Sequence, residues 1–139
     1  MKLRFVLASK AFKSGAGSLF LDYVNRISRF LPCQVGPASD GKAGTKIWVC
    51  DRGADAKMLS SEEVAEALGE LMNSGTKELQ IVIGSAEGFS EKELAEWNPD
   101  LKWSFGPLTL PHELAAVVAA EQIYRALTIL KRLPYHAAH

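Results

Sequence analysis

The sequence predicts an α/β fold in which a mostly parallel sheet is flanked by helices. Strand-like and helix-like segments alternate along the chain, which is the pattern of α/β proteins. The length of 139 residues suits one domain, residues 1–139. Hydrophobic residues make up 47% of the chain, which is enough to bury a single core.

The chain begins with a strand and a helix. Residues 2–8 start with alternating polarity and end apolar, which predicts a strand that is partly buried on both faces. A polar loop rich in glycine and serine follows at 9–17. Residues 18–30 place apolar side chains at helical spacing, which predicts an amphipathic helix. Leu31-Pro32 ends this helix, because a proline disfavours helical backbone in the residue before it.

The middle of the chain predicts further strands and two capped helices. A short second strand is predicted at 33–36, and the segment after it is a loop by composition. Core strands are predicted at 46–50, 78–83 and 101–105. Ser60 with Glu63 and Ser90 with Glu93 form capping boxes, in which each side chain bonds the other residue's backbone N–H. The two helices that begin there run to about Asn73 and Trp97.

The last predicted helix covers residues 112–132 and is apolar on almost every side. Glu121 and Arg125 stand four residues apart on it and are candidates for an ion pair. A helix of this composition has to be buried on more than one side. One protomer of this size offers few surfaces for that burial, so we expect a homodimer.

The charge is balanced overall but unevenly placed. The formal net charge is zero. Residues 1–30 hold six basic side chains against one acidic, whereas residues 51–100 hold four basic and twelve acidic. A basic N-terminal part is able to face phosphates, so the zero total does not exclude an RNA partner. The alternative is an ordinary solvated surface.

The cysteines and the apolar runs limit the class of protein. Cys33 and Cys50 are the only cysteines and form no Cys-x-x-Cys pair, so we expect no zinc site and no metal. Two isolated thiols fit a reducing cytosol, and we expect a cytoplasmic location. The apolar run near the N-terminus stops at Lys10 and is too short for a signal peptide. The apolar run 114–120 ends at Glu121, so no membrane span is expected.

Loops that follow the predicted strands are candidates for a ligand site. In an open α/β sheet, ligands bind outside the carboxyl ends of the strands. The loop from Gly106 to Pro111 contains two prolines and offers fixed backbone groups to a flat ligand such as adenine. Gly84 and Gly88 bracket another loop, where missing side chains allow a close approach of ligand, although a plain turn is the alternative. Asp51 is either a ligand contact or the organiser of an Asx turn.

Three separate motifs carry a family resemblance. They are Thr109-Leu110-Pro111-His112, Glu121-Gln122-Ile123-Tyr124-Arg125-Ala126 and Pro134-Tyr135-His136. With this spacing the chain resembles the ribosomal large-subunit pseudouridine methyltransferase H family, which belongs to the SPOUT superfamily of knotted RNA methyltransferases. The resemblance implies a C-terminal trefoil knot, S-adenosylmethionine as cofactor and a homodimer. It implies methyl transfer to N3 of pseudouridine 1915 in 23S rRNA of the assembled ribosome.

The resemblance also implies site residues. Those that would hold the cofactor are Cys50 (with Val49 as the alternative), Gly84, Phe105, Gly106, Pro107, Leu108, Thr109 and Leu110. The catalytic candidates are His112, Arg125, Tyr135 and His136. His112 is either a base or a residue that caps or packs its helix, and Arg125 either binds RNA or only pairs with Glu121. Tyr135 is suited to stacking on a base and His136 to contacting phosphate or N3, unless the tail is exposed and mobile.

Three departures from the family pattern support a competing hypothesis. Ser85-Ala86 replaces a glycine and a proline, segment 37–46 is too short for the usual crossover helix, and Ala137 follows His136 where the family has a basic residue. The alternative is a non-catalytic knotted dimer that binds RNA or nucleotides. A third possibility is a small α/β enzyme that uses another nucleotide.

Overall fold

The computed structural model describes residues 1–8, 12, 15–39, 41, 43–84 and 88–138. Within them the chain forms six strands and four helices. The strands are β1 (Lys2–Leu7), β2 (Cys33–Val35), β3 (Thr45–Cys50), β4 (Lys57–Met58), β5 (Glu78–Ile83) and β6 (Leu101–Ser104). The helices are α1 (Ala16–Ile27), α2 (Ser61–Asn73), α3 (Glu91–Trp97) and α4 (His112–Leu130).

These strands form one parallel sheet in the order β2-β1-β5-β3-β6-β4. At its centre, Cys50 at the end of β3 pairs with Ile83 of β5 and with Trp103 of β6. The loops that follow β3, β5 and β6 therefore leave the same edge of the sheet. The predicted α/β fold with a parallel sheet is confirmed, and the trefoil knot stays a prediction.

Three helices cover one face of the sheet, with α4 between α1 and α2. Four alanines of α4 are fully buried, which lets the neighbouring helices approach it closely. The main core lies beneath these helices and includes Phe5, Ile27, Leu68, Ile81, Trp103 and Ile123. α4 is thus apolar on several sides because it is the middle helix of a layer. The apolarity that suggested a homodimer is accounted for largely within one protomer, and the homodimer stays a prediction.

The opposite face of the sheet has a smaller apolar cluster. Val6, Val49 and Val82 form it, and Leu94 and Trp97 of the short helix α3 pack against it. These valines alternate along their strands with side chains of the main core, so the two faces are separated by the pleat.

Most predicted elements are confirmed, with shifts at their ends. Both capping boxes are present as predicted. α1 begins at Ala16 rather than at 18, and Gly17 within it leaves room for Phe12, since a Cβ there would lie 2.8 Å from Phe12 Cβ. α4 ends at Leu130 rather than at 132, where Arg132 adopts a positive φ of 57°. The two-residue strand β4 was not predicted, because it is too short to show a pattern.

The segment between β2 and β3 crosses the second face without a helix in its described part, 36–39, 41 and 43–44. Residues 40 and 42 lie outside the described residues. Ser39 donates a hydrogen bond to Glu78 over 2.5 Å and accepts one from Gln80 over 2.5 Å. A short loop with a buried polar cluster therefore occupies part of this face.

Glu78 is the buried charge of that cluster, with 4% of its surface exposed. The Nε of Arg4 and the Nζ of Lys2 each lie 3.7 Å from its carboxylate. Burial alone raises the pKa of Glu78, but the hydrogen bond from Ser39 and the charges of Arg4 and Lys2 outweigh it. The pKa of this carboxyl is therefore below its ordinary value, and Glu78 stays ionised at neutral pH.

None of the helices in the described part of the chain combines the length and the apolarity needed to cross a bilayer. Nor do the described residues bring together three or more His, Cys, Asp or Glu side chains as a metal site.

The first prediction concerns Ser39→Ala. Near pH 7 the variant should lose about 1.5–3 kcal/mol of unfolding free energy, the range for a hydrogen bond to a charged group. Because the pKa of Glu78 is lowered by folding, its contribution is present above the ordinary carboxyl value of about 4.3 and is lost as pH falls through the folded-state value. Urea unfolding near pH 7 and near pH 3 should show the difference from wild type shrink in acid.

The matched control is Ser28→Ala. The Ser28 hydroxyl donates to the carbonyl oxygens of Val24 and Cys33, at 2.9 and 3.4 Å, and bonds no carboxylate of the described residues. The unfolding free energy that Ser28→Ala loses should therefore be the same near pH 7 and near pH 3. A Ser39→Ala difference that is as large in acid as at neutral pH would contradict the role given to Glu78.

Candidate functional site

A pocket opens at the edge of the sheet where β3, β5 and β6 end. It is lined by Cys50, Asp51, Arg52, Ile83, Gly84, Gly88, Phe105, Gly106, Leu108, Leu110, His112 and Ala115. These residues come from three strand ends and from the first turn of α4. Such an edge is where open α/β sheets bind ligands.

Most residues predicted to hold a cofactor meet in this pocket. Six of them line it: Cys50, Gly84, Phe105, Gly106, Leu108 and Leu110. Pro107 and Thr109 belong to the same loop but are exposed and lie outside the lining. His112 lines the pocket as well, whereas Arg125, Tyr135 and His136 do not. Ser85, Ala86 and Glu87 lie outside the described residues.

The loop after β6 is shaped by Ser104 and Gly106. The Ser104 hydroxyl accepts a hydrogen bond from the Gly106 N–H over 3.1 Å and donates one to its carbonyl over 3.3 Å. Gly106 has a φ of 101°, which side chains rarely allow. Phe105 packs edge-on against Trp103, with ring centroids 4.9 Å apart. The turn therefore follows from a local hydrogen bond, a glycine and one aromatic anchor.

Gly84 is enclosed from two sides. A Cβ at this position would lie 2.7 Å from Cε2 of Phe89, so the Phe89 ring occupies the space that a side chain would need. The carbonyl oxygen of Gly84 lies 2.7 Å from Nδ1 of His112. The residue type is thus dictated by packing, and the carbonyl is held by the start of α4.

The Cys50 thiol lines the pocket as a neutral group. Burial, with a smaller effect from the charge of Asp51, raises the pKa of this thiol far above its ordinary value. A thiol that does not ionise is a poor nucleophile and a poor metal ligand. Cys50 therefore offers an apolar contact to whatever binds there.

Asp51 and Arg52 are pocket residues that the set of predicted site residues omitted. Arg52 Nη1 donates a hydrogen bond to the hydroxyl of Thr109, which links the loop after β3 to the loop after β6. Asp51 lies beside Gly88, where an added Cβ would be 3.7 Å from its carboxylate. Their position directly after a core strand was the sequence signal for a pocket residue, but the same position is equally typical of a turn.

Arg125, Tyr135 and His136 form a separate cluster with Glu121 and Glu62. Arg125 lies 13 positions after His112 on α4, which corresponds to about 20 Å along the helix axis. Arg125 donates to Glu121 over 2.9 Å and its guanidinium stands 4.9 Å from the centre of the Tyr135 ring. Three of the four catalytic candidates are thus brought together, but away from the pocket of their own protomer.

This cluster also holds the C-terminal tail in place. The Tyr135 hydroxyl donates to Glu121 over 2.6 Å, while the His136 ring lies 2.6 Å from Glu62 through Nε2 and 3.0 Å from Arg125 through Nδ1. The alternative of an exposed tail therefore does not apply to these two residues, which are half-buried against α2 and α4. The contacts responsible join residues 11 to 74 positions apart, and the local sequence carries no sign of them.

The electrostatics of the cluster define what its members are able to do. Burial lowers the pKa of Arg125, but Glu121 outweighs it, so this pKa is raised and the guanidinium is a fixed cation. Burial, and next the hydrogen bond to Glu121, raise the pKa of Tyr135 well above its ordinary value. Tyr135 is thus a neutral phenol, suited to stacking and to donating a hydrogen bond but not to accepting a proton.

Known proteins match this chain along nearly its whole length. A protein-family model described as "Predicted SPOUT methyltransferase" matches residues 1–136. A protein of Psychrobacter sp. (strain PRwf-1) named "Ribosomal RNA large subunit methyltransferase H" is 48% identical over 91 residues, which cover 66% of this chain and 53% of the relative. The chain thus spans about half the length of that relative.

Two proteins with the same name match from end to end. The one from Koribacter versatilis (strain Ellin345) is 34% identical over 151 residues and covers 100% of both chains. The one from Stenotrophomonas maltophilia (strain K279a) is 32% identical over 159 residues, which cover 99% of this chain and 100% of the relative. Both alignments are longer than the 139-residue chain, so both relatives contain residues that this chain lacks.

The second prediction tests the packing at Gly84. Gly84→Ala should destabilise the protein by about 1–3 kcal/mol, the usual cost of overpacking, because the added methyl meets the Phe89 ring. Gly15→Ala is the control, since a Cβ there meets nothing within 4 Å and its change should stay within about 0.5 kcal/mol. Adding Phe89→Leu to Gly84→Ala should recover part of the loss in urea unfolding. Equal stabilities of the two single variants would refute this account of the loop.

Proposed function

The chain belongs to the SPOUT methyltransferase family, and we propose that it methylates ribosomal RNA with S-adenosylmethionine as methyl donor. The proposed target is N3 of pseudouridine 1915 in 23S rRNA of the assembled ribosome, in the cytoplasm. The relatives from Koribacter and Stenotrophomonas support this class of target, because they match over their full lengths and are named ribosomal RNA large subunit methyltransferases. The C-terminal trefoil knot and the single domain 1–139 are part of the same proposal.

One observation carries the proposal: a single pocket unites the ends of three parallel strands with the start of α4. Its walls combine apolar side chains, from Ile83, Phe105, Leu108 and Leu110, with the polar side chains of Asp51, Arg52 and His112. Ligand pockets typically combine apolar walls with a small number of fixed polar groups. Gly106 has no side chain and open space where a Cβ would lie, so a flat ring such as adenine is able to approach the backbone of this loop closely. The residues present thus fit S-adenosylmethionine.

The proposed chemistry asks the protein for positioning more than for activation. When bound, S-adenosylmethionine supplies a methyl group that its sulfonium already activates. The residues around it then have to hold the target base in line, and well-oriented reactants gain most of their rate this way. The N3 proton of the base has to leave to a nearby basic group or to water. No step requires a metal.

We also propose that the working unit is a homodimer. Arg125 lies about 20 Å from His112 along α4, and Tyr135 and His136 contact Arg125, so the three side chains reach a pocket more readily in a second copy. There Arg125 would bind a phosphate as a fixed cation, Tyr135 would stack on a base and His136 would contact phosphate or the N3 edge. Leu114, Leu130 and Leu133 are exposed along α4 and its end and add apolar surface for such a contact.

The third prediction tests cofactor binding with two matched glycines. Gly106 and Gly75 both have positive φ, 101° and 81°, and both face open space, but only Gly106 lines the pocket. Changing either to Ala should cost a similar stability, about 1–2 kcal/mol of left-handed strain. In titration calorimetry, wild type and Gly75→Ala should bind S-adenosylmethionine at one site per protomer, and Gly106→Ala should bind at least about tenfold more weakly.

The same proteins should then be assayed on ribosomes that lack the modification. Wild type and Gly75→Ala should methylate them, and mass mapping should place the methyl group on the pseudouridine. If wild type binds no S-adenosylmethionine but still binds ribosomal RNA, the non-catalytic dimer replaces the enzyme as the explanation. A cofactor that binds without any methylation of such ribosomes would refute the proposed target.

A further inference from the structure

His112 links the two loops that form the proposed cofactor pocket. It is the first residue of α4 and directly follows the loop of residues 105–111. Its Nδ1 lies 2.7 Å from the carbonyl oxygen of Gly84, at the end of β5. β5 and β6 are not neighbours, because β3 lies between them in the sheet. The contact therefore joins segments from two strands that lie on either side of β3, at whose end Cys50 lines the pocket.

The partner of Nδ1 determines where the proton is on the ring. A carbonyl oxygen is only able to accept a hydrogen bond, so Nδ1 has to carry the hydrogen. In the neutral ring, Nε2 is then the atom with the free lone pair. For His112 to act as a base, Nε2 would therefore have to be the atom that takes the proton.

Nε2 is poorly placed for that task. It is buried from solvent and has no hydrogen-bond partner in the described part of the chain. The ring of Phe12 lies 6.4 Å from the imidazole, so an apolar group borders it. A proton on Nε2 would create a buried charge whose N–H meets no acceptor among the described residues, which is unfavourable. A general base also has to reach the proton that it removes.

We infer that His112 is a positioning residue. Its Nδ1–H bonds the Gly84 carbonyl and thereby fixes the position of the loop after β5 relative to the loop of residues 105–111. The Phe89 ring closes the other side of Gly84, so this hydrogen bond and that ring fix the glycine between them. The inference deepens the proposed function and rests on it for the effect on cofactor binding. The hydrogen bond itself is a property of the protein alone.

Asparagine and glutamine separate positioning from catalysis at this site. The Asn side-chain N–H₂ group takes roughly the place of Nδ1, and that of Gln the place of Nε2. His112→Asn should bind S-adenosylmethionine within about threefold of wild type. His112→Gln should bind it about tenfold more weakly, the scale that corresponds to one lost buried hydrogen bond. On ribosomes, His112→Gln should raise KM for the cofactor with little change in kcat, and His112→Asn should keep the wild-type pH profile.

A base role gives the opposite results. Both variants would then lose kcat to a similar extent with unchanged cofactor affinity, and both would lose the limb of the pH profile that the base produces. That outcome would overturn the inference. Circular dichroism and urea unfolding of each variant show whether it is folded before its kinetics are compared.

A spectroscopic measurement tests the hydrogen bond without any reaction. Long-range ¹H–¹⁵N spectra of the free wild-type protein should show that Nδ1 of His112 carries a hydrogen. A ring that carries its only proton on Nε2 would overturn the inference even if the enzyme is active. If the wild type neither binds S-adenosylmethionine nor methylates ribosomes, the proposed function fails, and the nitrogen signals still decide whether His112 holds Gly84.

Discussion

The structure depends on the parallel alignment of three strands. β3 pairs with β5 on one side and with β6 on the other, and its last residue, Cys50, is level with Ile83 and Trp103. Because the pairing is parallel, the segments that follow these three strands all leave the sheet at the same edge, although they are far apart in sequence. The pocket exists because of this alignment. Each of its walls is only the continuation of a strand, and each strand is held by core packing on at least one face.

α4 connects this edge of the sheet to the C-terminal tail. Its first residue contacts the strand-end loop through Gly84, and its later turns carry Glu121 and Arg125, which bind the tail. A helix of 19 residues is a rigid spacer, and burial between α1 and α2 makes it more so. The distance between the pocket and the tail cluster is therefore fixed by helix geometry. Any arrangement in which both act on one target has to respect that distance.

How much the sequence predicted depends on the range of the interactions involved. The capping boxes at Ser60 and Ser90 are set by residues three apart, and β5 is a continuous run of core residues, so all three were predicted closely. The six pocket residues were predicted through a family resemblance, and the position of Gly84 and of the loop from Gly106 to Pro111 after predicted strands pointed to the same edge of the sheet. The sequence did not predict contacts between distant residues: the docking of Tyr135 and His136, the hydrogen bond between His112 and Gly84, and the hydrogen bond from Arg52 to Thr109. It also did not predict the strand β4, which has only two residues.

The two margins of the sheet have a consequence for how the protein behaves in crowded solution. β2 and β4, the outermost strands, contain only three and two residues, whereas the inner strands β1, β3 and β5 contain six each. A sheet edge with unpaired N–H and C=O groups is a template on which another chain can add a strand. Here the long, apolar strands have neighbours on both sides, and the exposed margins are too short to offer a stable ladder. The fold is thus protected against edge-to-edge aggregation by the brevity of its outer strands.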